Sequence, residues 1–458
     1  MENAEIEILI NKWNPHFQDT SKGSWVGSVP RKKYLQRLWE AMELRHVVVL
    51  TGVRRSGKST LMQQLIGKLI EQGTEPKNAL YLHLEDVLVM PYLKLGWKLL
   101  EQLYAYYLEK YNPQGKVFVF LDEIQGVSEF NRWIYSHYEK KENIKFVISG
   151  SRQSLIESEA STLLTGRTVR FDVYPFNFFE YLVTQNVQVE KGSTIEEVRN
   201  HNFSQTTAIL HHLSNFLNEG GYPEIVLTQE QRNKELIAST YYRDILMRDI
   251  INPHDIRNPS EIESLGLQVL SDFTKTHTYR SLGRPQKLSV NTVKAYLDYF
   301  YKAYLFFESN YFSYKTKETQ DVQKPRKIYV VDNGMRNFNV VVPRRDLGQC
   351  AENIVFLELM KNHPSVYYWR GKQEVDFVVL DPRQEAKLSL YNVSYTDEPH
   401  EREIKGLVEG LKEFKFDRGT VLTKNYFDKK VIDDKKVEFV PLWAWLIVNG
   451  GVFFKEII

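Results

Sequence analysis

His46-Val-Val-Val-Leu-Thr51 runs directly into Gly52-Val-Arg-Arg-Ser-Gly57-Lys58-Ser59-Thr60, and the fold of this chain is decided there. The first six residues form a short β-branched run, the pattern of a strand buried on both faces. The next eight match G-x-x-x-x-G-K-[ST] in full, and Ser59 to Ile70 continues with apolar residues at helical spacing. Strand, glycine-bounded loop and helix is the setting in which this spacing turns backbone N–H groups toward phosphate oxygens. Gly52 and Gly57 give the loop its backbone freedom, and the helix opening near Lys58 adds the positive end of its dipole. Lys58 supplies a point charge to the β- and γ-phosphates and Ser59 a hydroxyl for magnesium, with Ser56 and Thr60 completing the lining. ATP with Mg2+ is the expected ligand pair. Arg54 and Arg55 fill loop positions that tolerate any residue, and no role is assigned to them.

Further strands follow at Ala79–Leu84, Lys116–Leu121, Ile144–Ser149 and Thr168–Val173, with helical stretches between them. That alternation predicts βαβ units and an α/β fold with a parallel sheet. Val117-Phe-Val-Phe-Leu-Asp122-Glu123 carries two carboxylates to a strand end, where open α/β sheets place ligands. Asp122 is expected to hold Mg2+ and Glu123 to orient or deprotonate the attacking water. Ser149, ending the fourth strand, is a candidate γ-phosphate sensor or plain turn chemistry. Arg167, ahead of the fifth strand, is a candidate arginine finger for its own or a neighbouring subunit, or an exposed turn arginine.

The balance of charge restricts what else the chain does. Sixty Lys and Arg against 58 Asp and Glu leave a net charge of +2, so any nucleic-acid surface must be a local patch. Cys350 is the only cysteine, which excludes an internal disulfide framework and a cysteine-rich zinc module. The acidic N-terminus lacks the apolar core of a signal peptide, and the most apolar stretch, 439–454, is broken by Pro441, Asn449, Gly450 and Gly451. A cytoplasmic location without membrane contact is expected.

Taken together, the motifs resemble those of archaeal and bacterial AAA-type ATPases with a C-terminal restriction-endonuclease-like domain. The resemblance rests on the phosphate loop, Leu121-Asp-Glu-Ile-Gln125, Ser149-Gly-Ser151 and Thr165-Gly-Arg167 ahead of Val173-Tyr-Pro-Phe-Asn-Phe-Phe-Glu-Tyr181. It continues through Gly220-Gly-Tyr-Pro-Glu224, Tyr242-Arg-Asp-Ile-Leu-Met-Arg-Asp249, Lys327-Ile-Tyr-Val-Val-Asp332 and Glu352-Asn-Ile-Val-Phe-Leu-Glu358. It closes with Tyr368-Trp-Arg370 and Glu374-Val-Asp376-Phe377. It implies three parts: an ATPase domain over 1–180, a helical lid and winged-helix region over 181–330, and a nuclease-like domain over 331–458.

In the middle part, Arg243 and Arg248 are either lid sensors or a solvated face. Helices around 265–273 and 289–300 followed by a strand at 303–312 form a winged-helix pattern. On DNA, Asn291, Thr292 and Lys294 would face the groove and Arg280, Arg284 and Lys287 the phosphates. In the last part Glu352 and Asp376 match the helix Glu and strand Asp that collect Mg2+ in nucleases of the PD-(D/E)xK type. Where those enzymes carry Glu-x-Lys, this chain reads Asn392-Val393-Ser394, unless Lys372 or Lys387 compensates. Trp369 and Arg370 read as hairpin packing.

The expectation is a Mg2+-dependent ATPase switch acting on DNA. The alternatives are an ATP-regulated DNA nuclease using Glu352 and Asp376, and a non-catalytic scaffold that senses ATP for a protein partner. A second copy of the chain is admitted as a partner through Arg167.

Overall fold

The computed structural model describes residues 1–151, 163–315, 319, 324–341, 346–381 and 387–450. The chain divides into two compact units, Met1–Tyr174 and a second beginning at Pro175.

Five strands form the sheet of the first unit: β1 (Val47–Thr51), β2 (Ala79–His83), β3 (Val117–Asp122), β4 (Ile144–Ser149) and β5 (Thr168–Asp172). Their order is β2-β3-β4-β1-β5, and every neighbouring pair is parallel. Each residue of β1 and β3 is buried, as continuous apolar runs in a covered parallel sheet must be. Among the described residues the unit's α-helices are α1 (Asn3–Trp13), α2 (Lys32–Met42), α3 (Lys58–Glu71), α4 (Trp97–Tyr111) and α5 (Phe130–Glu139). α1 buries Ile6, Leu9, Ile10 and Trp13. Just past it, the Asn14 amide donates to the Tyr81 carbonyl at 2.9 Å and accepts from the Tyr81 N–H at 2.7 Å. That pairing occupies ladder groups on the edge strand β2, which would otherwise be open to pairing with another chain. At the other end, the buried Lys145 ammonium donates to the carbonyls of Ala41, Leu44 and His46 and so closes the C-terminus of α2.

The second unit holds a mixed sheet of nine strands. They are β6 (Thr276–His277), β7 (Phe306–Tyr311), β8 (Arg326–Val330), β9 (Val366–Arg370), β10 (Glu374–Asp381), β11 (Lys387–Ser394), β12 (Arg418–Thr423), β13 (Asp428–Ile432) and β14 (Lys435–Pro441). Their order is β13-β14-β12-β11-β10-β9-β7-β8-β6. β7 pairs antiparallel with β8 and parallel with β9, so strands on both sides of residue 330 share one sheet. Helices Pro259–Ser271, Tyr279–Gly283 and Val290–Lys302 are interleaved with β6 and β7, and helix Glu401–Glu413 covers a core of Trp369, Val375, Leu390, Val421 and Phe439.

The Gly220-Gly-Tyr-Pro stretch serves this second fold. Gly220 has φ +77°, and a Cβ there would stand 2.0 Å from the Asp332 carboxylate. The same carboxylate accepts from the N–H groups of Gly221 and Met335, at 2.6 and 3.1 Å. Among the described residues no helix is long and apolar enough to cross a membrane.

Candidate functional site

The parallel register brings the C-terminal ends of β1, β3 and β4 side by side, pairing Leu50 with Ser149 and Leu121 with Ile148. The loop Gly52–Gly57 leaves β1 at this edge. Gly52 has φ +136°, and a Cβ on it would lie 2.1 Å from the Val173 carbonyl oxygen, so only glycine passes there. Gly57 has φ +96° and turns the chain into α3. Lys58 is buried; its ammonium donates to the carbonyls of Gly52 and Val53, each at 3.1 Å, and stands 3.8 Å from the Glu123 carboxylate. The Ser56 hydroxyl is buried and has no hydrogen-bond partner. Arg54, in the same loop, holds Glu85 with two hydrogen bonds of 2.9 and 3.1 Å. Arg31 reaches the carbonyls of Ser56 at 3.2 Å and Tyr174 at 2.8 Å, tying the loop to the end of the unit.

Asp122 is fully buried at the end of β3. Its carboxylate accepts from Ser149 and, at 2.5 Å, from the Tyr81 phenol, and it lies 3.6 Å from His83. Burial pushes this carboxyl up, but hydrogen bonds from His83, Ser149, Ser59 and Tyr81 outweigh it and hold it below the usual carboxylate range. Glu123 sits at φ +56° immediately after the strand. Its N–H donates to the Ser149 hydroxyl at 2.9 Å, and its carboxylate accepts from Gln125 at 2.5 Å. Burial pushes the Glu123 carboxyl up, with Lys58 opposing and Asp122 reinforcing. One acid is thus kept ionised while its neighbour is made more basic.

These residues fit a nucleotide with its cation. The unpartnered Ser56 hydroxyl and the Lys58 ammonium, engaged only with loop carbonyls and the more distant Glu123, are donors suited to phosphate oxygens. The Ser59 hydroxyl reaches Asp122, placing two hard oxygen donors together at the mouth of the loop. Thr60 is exposed on the first turn of α3.

Arg167 requires a correction. β5 runs parallel to β1 with Thr168 beside Val47, and the Arg167 carbonyl accepts from the Val47 N–H at 2.8 Å. Arg167 therefore lies at the start of the strands, about 16 Å of strand rise from the edge that carries the phosphate loop. Its guanidinium contacts Glu139 at 3.3 Å and lies near the rings of Tyr135 and Tyr138. It does not serve the phosphate loop of its own chain.

In the second unit Glu352, on helix Leu347–Asn362, and Asp376, on β10, do converge, around Lys327, which the motif reading quoted without giving it a role. The buried Lys327 ammonium lies 2.8 Å from Glu352, 2.6 Å from Glu374 and 3.1 Å from Asp376. Burial raises the Glu352 carboxyl to about 8, against the pull of Lys327 and with the push of Asp376. Lys372 is exposed at the β9–β10 hairpin, and the side chain of Lys387 lies outside the described residues. The Lys327 ammonium thus stands between Glu352 and Asp376, the two acids expected to collect Mg2+, and among the described residues no group of three or more His, Cys, Asp or Glu is arranged to hold a metal ion. Trp369 is buried in the sheet's core and Arg370 is exposed.

Elsewhere in this unit Arg280, Arg284, Lys287 and Asn291 are exposed, Thr292 meets the capping Ser289, and Lys294 lies over the Tyr279 ring. Arg243 and Arg248 are exposed. Tyr81 and His83 were not singled out from sequence. Their two-residue spacing on one strand face was visible, but its meaning depended on β2 lying beside β3, where His83 pairs with Asp122.

The strand order, the loop after β1 and the acid pair after β3 define the class: a P-loop ATPase fold of AAA type. A family model described as an AAA domain matches residues 44–182, and two described as domains of unknown function match 210–344 and 347–445. The chain belongs to the same family as an uncharacterized protein of Methanocaldococcus jannaschii, 32% identical over 87% of this chain and 88% of that one. An uncharacterized protein of Haemophilus influenzae is 27% identical over 91% of this chain and 98% of its own length. Among solved structures, the Walker-type ATPase of Pyrococcus abyssi covers 71% of this chain and 99% of itself at 14% identity, with a TM-score of 0.46.

Proposed function

We propose that the chain binds ATP with Mg2+ in the Gly52–Thr60 loop and hydrolyses it, and that this cycle switches a DNA-contacting surface. The observation that carries the reading is the meeting of Lys58, Ser59, Asp122 and Glu123 beside a buried, unpartnered Ser56 hydroxyl. The loop N–H groups and Lys58 take the phosphate oxygens, and Ser59 and Asp122 hold the cation, which draws charge from the transferred phosphoryl group. Lys58 now faces Glu123; phosphate binding draws the ammonium away and leaves Glu123 to accept a proton from the attacking water. Ser149, bonded to both Asp122 and the Glu123 N–H, is read as a positioning residue for the pair.

For the DNA-contacting surface we favour helices Tyr279–Gly283 and Val290–Lys302. They lie in a helix–strand–helix–helix–strand–strand order with β8 between β6 and β7, an order that supports the winged-helix reading. Exposed Arg280, Arg284 and Lys287 supply a local basic patch on a chain of nearly balanced charge. Engagement of Glu352 and Asp376 by Lys327 argues against DNA cleavage.

Titration of the purified chain with a non-hydrolysable ATP analogue and Mg2+ tests the core of this reading. One saturable site is expected, lost in Lys58→Ala. Equal affinity in that variant would place the nucleotide elsewhere.

A further inference from the structure

We infer that the ammonium of Lys327 stands where the nuclease resemblance places a divalent cation, so that the acidic centre of the second unit is a metal-free clasp joining β8, β10 and helix Leu347–Asn362. It is independent of the ATPase reading and turns on the partners that Lys327 and the acids around it have inside the protein.

The Lys327 ammonium donates to Glu352 at 2.8 Å and to Asp376 at 3.1 Å, and forms an ion pair with Glu374 at 2.6 Å. Its side chain is 2% exposed, so water does not compete for those donors. The acids have further partners inside the protein. The second oxygen of Asp376 accepts from the Val393 N–H at 2.9 Å, and the Glu352 oxygen that faces Lys327 also accepts from the Tyr329 phenol at 3.0 Å. The second Glu374 oxygen lies 4.0 Å from Arg370.

The position expected to carry a third acid has become a backbone tie. The Asn392 amide donates to the carbonyls of Glu374 and Glu403, at 3.1 and 2.8 Å, and accepts from the Asp376 N–H at 3.0 Å. Its polar atoms are thereby occupied in joining β10, β11 and helix Glu401–Glu413, and it adds no charge. Ser394 accepts from the His400 N–H at 3.1 Å, at the start of that same helix.

A divalent ion entering this centre would have to displace Lys327 or lie against it. Either course leaves like charges together, or the buried ammonium unpaired. Lys327 also sits on the strand that pairs with both β6 and β7, so its charge fastens those strands to the C-terminal acids.

Mn2+ binding to the nucleotide-free full-length protein, read by electron paramagnetic resonance and by melting temperature against EDTA, tests the inference. Wild type is expected to bind no Mn2+ that Asp376→Asn removes, to melt at the same temperature with either addition, and to leave supercoiled DNA intact. Lys327→Met is expected to melt earlier than wild type and to recover with Mn2+, whereas Lys327→Met with Glu352→Gln does not recover. If Lys327→Met fails to fold, the wild-type measurement decides alone. One Mn2+ per chain lost in Asp376→Asn, or DNA nicking lost in that variant, overturns the inference. ATP hydrolysis measured on the same samples is unaffected by either result, which keeps the two readings separable.

Discussion

The Ser149 hydroxyl, at the end of β4, donates to the buried Asp122 carboxylate at the end of β3. It also accepts from the Glu123 N–H, so one small side chain fixes both acids. In Ser149→Ala the Asp122 carboxylate loses a donor and the Glu123 N–H its acceptor. Turnover should fall about 10- to 100-fold through misplacement of the pair, with nucleotide affinity little changed. Steady-state phosphate release beside analogue titration reads the two effects separately.

Glu123→Gln should keep nucleotide binding and lose roughly 10²- to 10⁴-fold in turnover, the contribution of a positioned base. The wild-type carboxyl is pushed up by burial, so its basic form is lost as pH falls through a value above the ordinary glutamate range. An acidic limb is therefore expected in the wild-type rate profile and should be absent from the residual rate of the variant. A residual profile with the same limb would assign the base to another group.

Gly52→Ala should abolish nucleotide binding. Its Cβ would meet the Val173 carbonyl at 2.1 Å, and φ +136° suits glycine alone. The backbone strain costs about 1–3 kcal/mol before the collision is counted. Chemical denaturation and analogue titration should both report the damage, whereas Gly27→Ala, strained at φ +76° but with nothing within 4 Å of its Cβ, loses stability only and keeps binding.

Arg280→Ala with Arg284→Ala should weaken DNA binding at low salt and flatten its salt dependence. Every duplex phosphate that is no longer neutralised lowers the log–log slope by about 0.9. Fluorescence anisotropy across a salt series measures this, and an unchanged slope would remove these helices from the DNA surface.

Asp332 predicts a pH dependence of stability. Burial raises its carboxyl from 3.8 to about 6 against the N–H donors of Gly221, Met335 and Gly334. Between those values the folded chain keeps a proton that the unfolded chain has lost, so the native state binds more protons. This contribution is fully present below pH 4 and is lost as pH rises through 6, a change of about 3 kcal/mol. Asp332→Asn should flatten that window in urea titrations at pH 4, 5 and 6.

The sheet of the first unit was legible because buried parallel strands read as unbroken apolar runs: β1, β2, β3 and β5 came within a residue at each end, and β4 matched. Their lateral order was not legible, since nothing in Thr168–Asp172 states that it lies beside β1. That gap also misplaced Arg167, which is close to the site's motifs in sequence but precedes a strand running the same way as β1. Lys327 was hidden for a related reason. Its partners lie 25, 47 and 49 residues away, and one lysine in an apolar strand gives no sign of what the neighbouring strands present.

The parallel pairing of β7 with β9 has a consequence for synthesis. About 55 residues separate Tyr311 from Val366, a wait of roughly 3–11 s on the ribosome. Throughout that interval one side of β7 has no neighbour, and an open strand edge recruits other chains. The nascent protein is most vulnerable to aggregation after the first unit is complete and before the β9 strand emerges. Chains truncated in that window should be the ones that most engage chaperones.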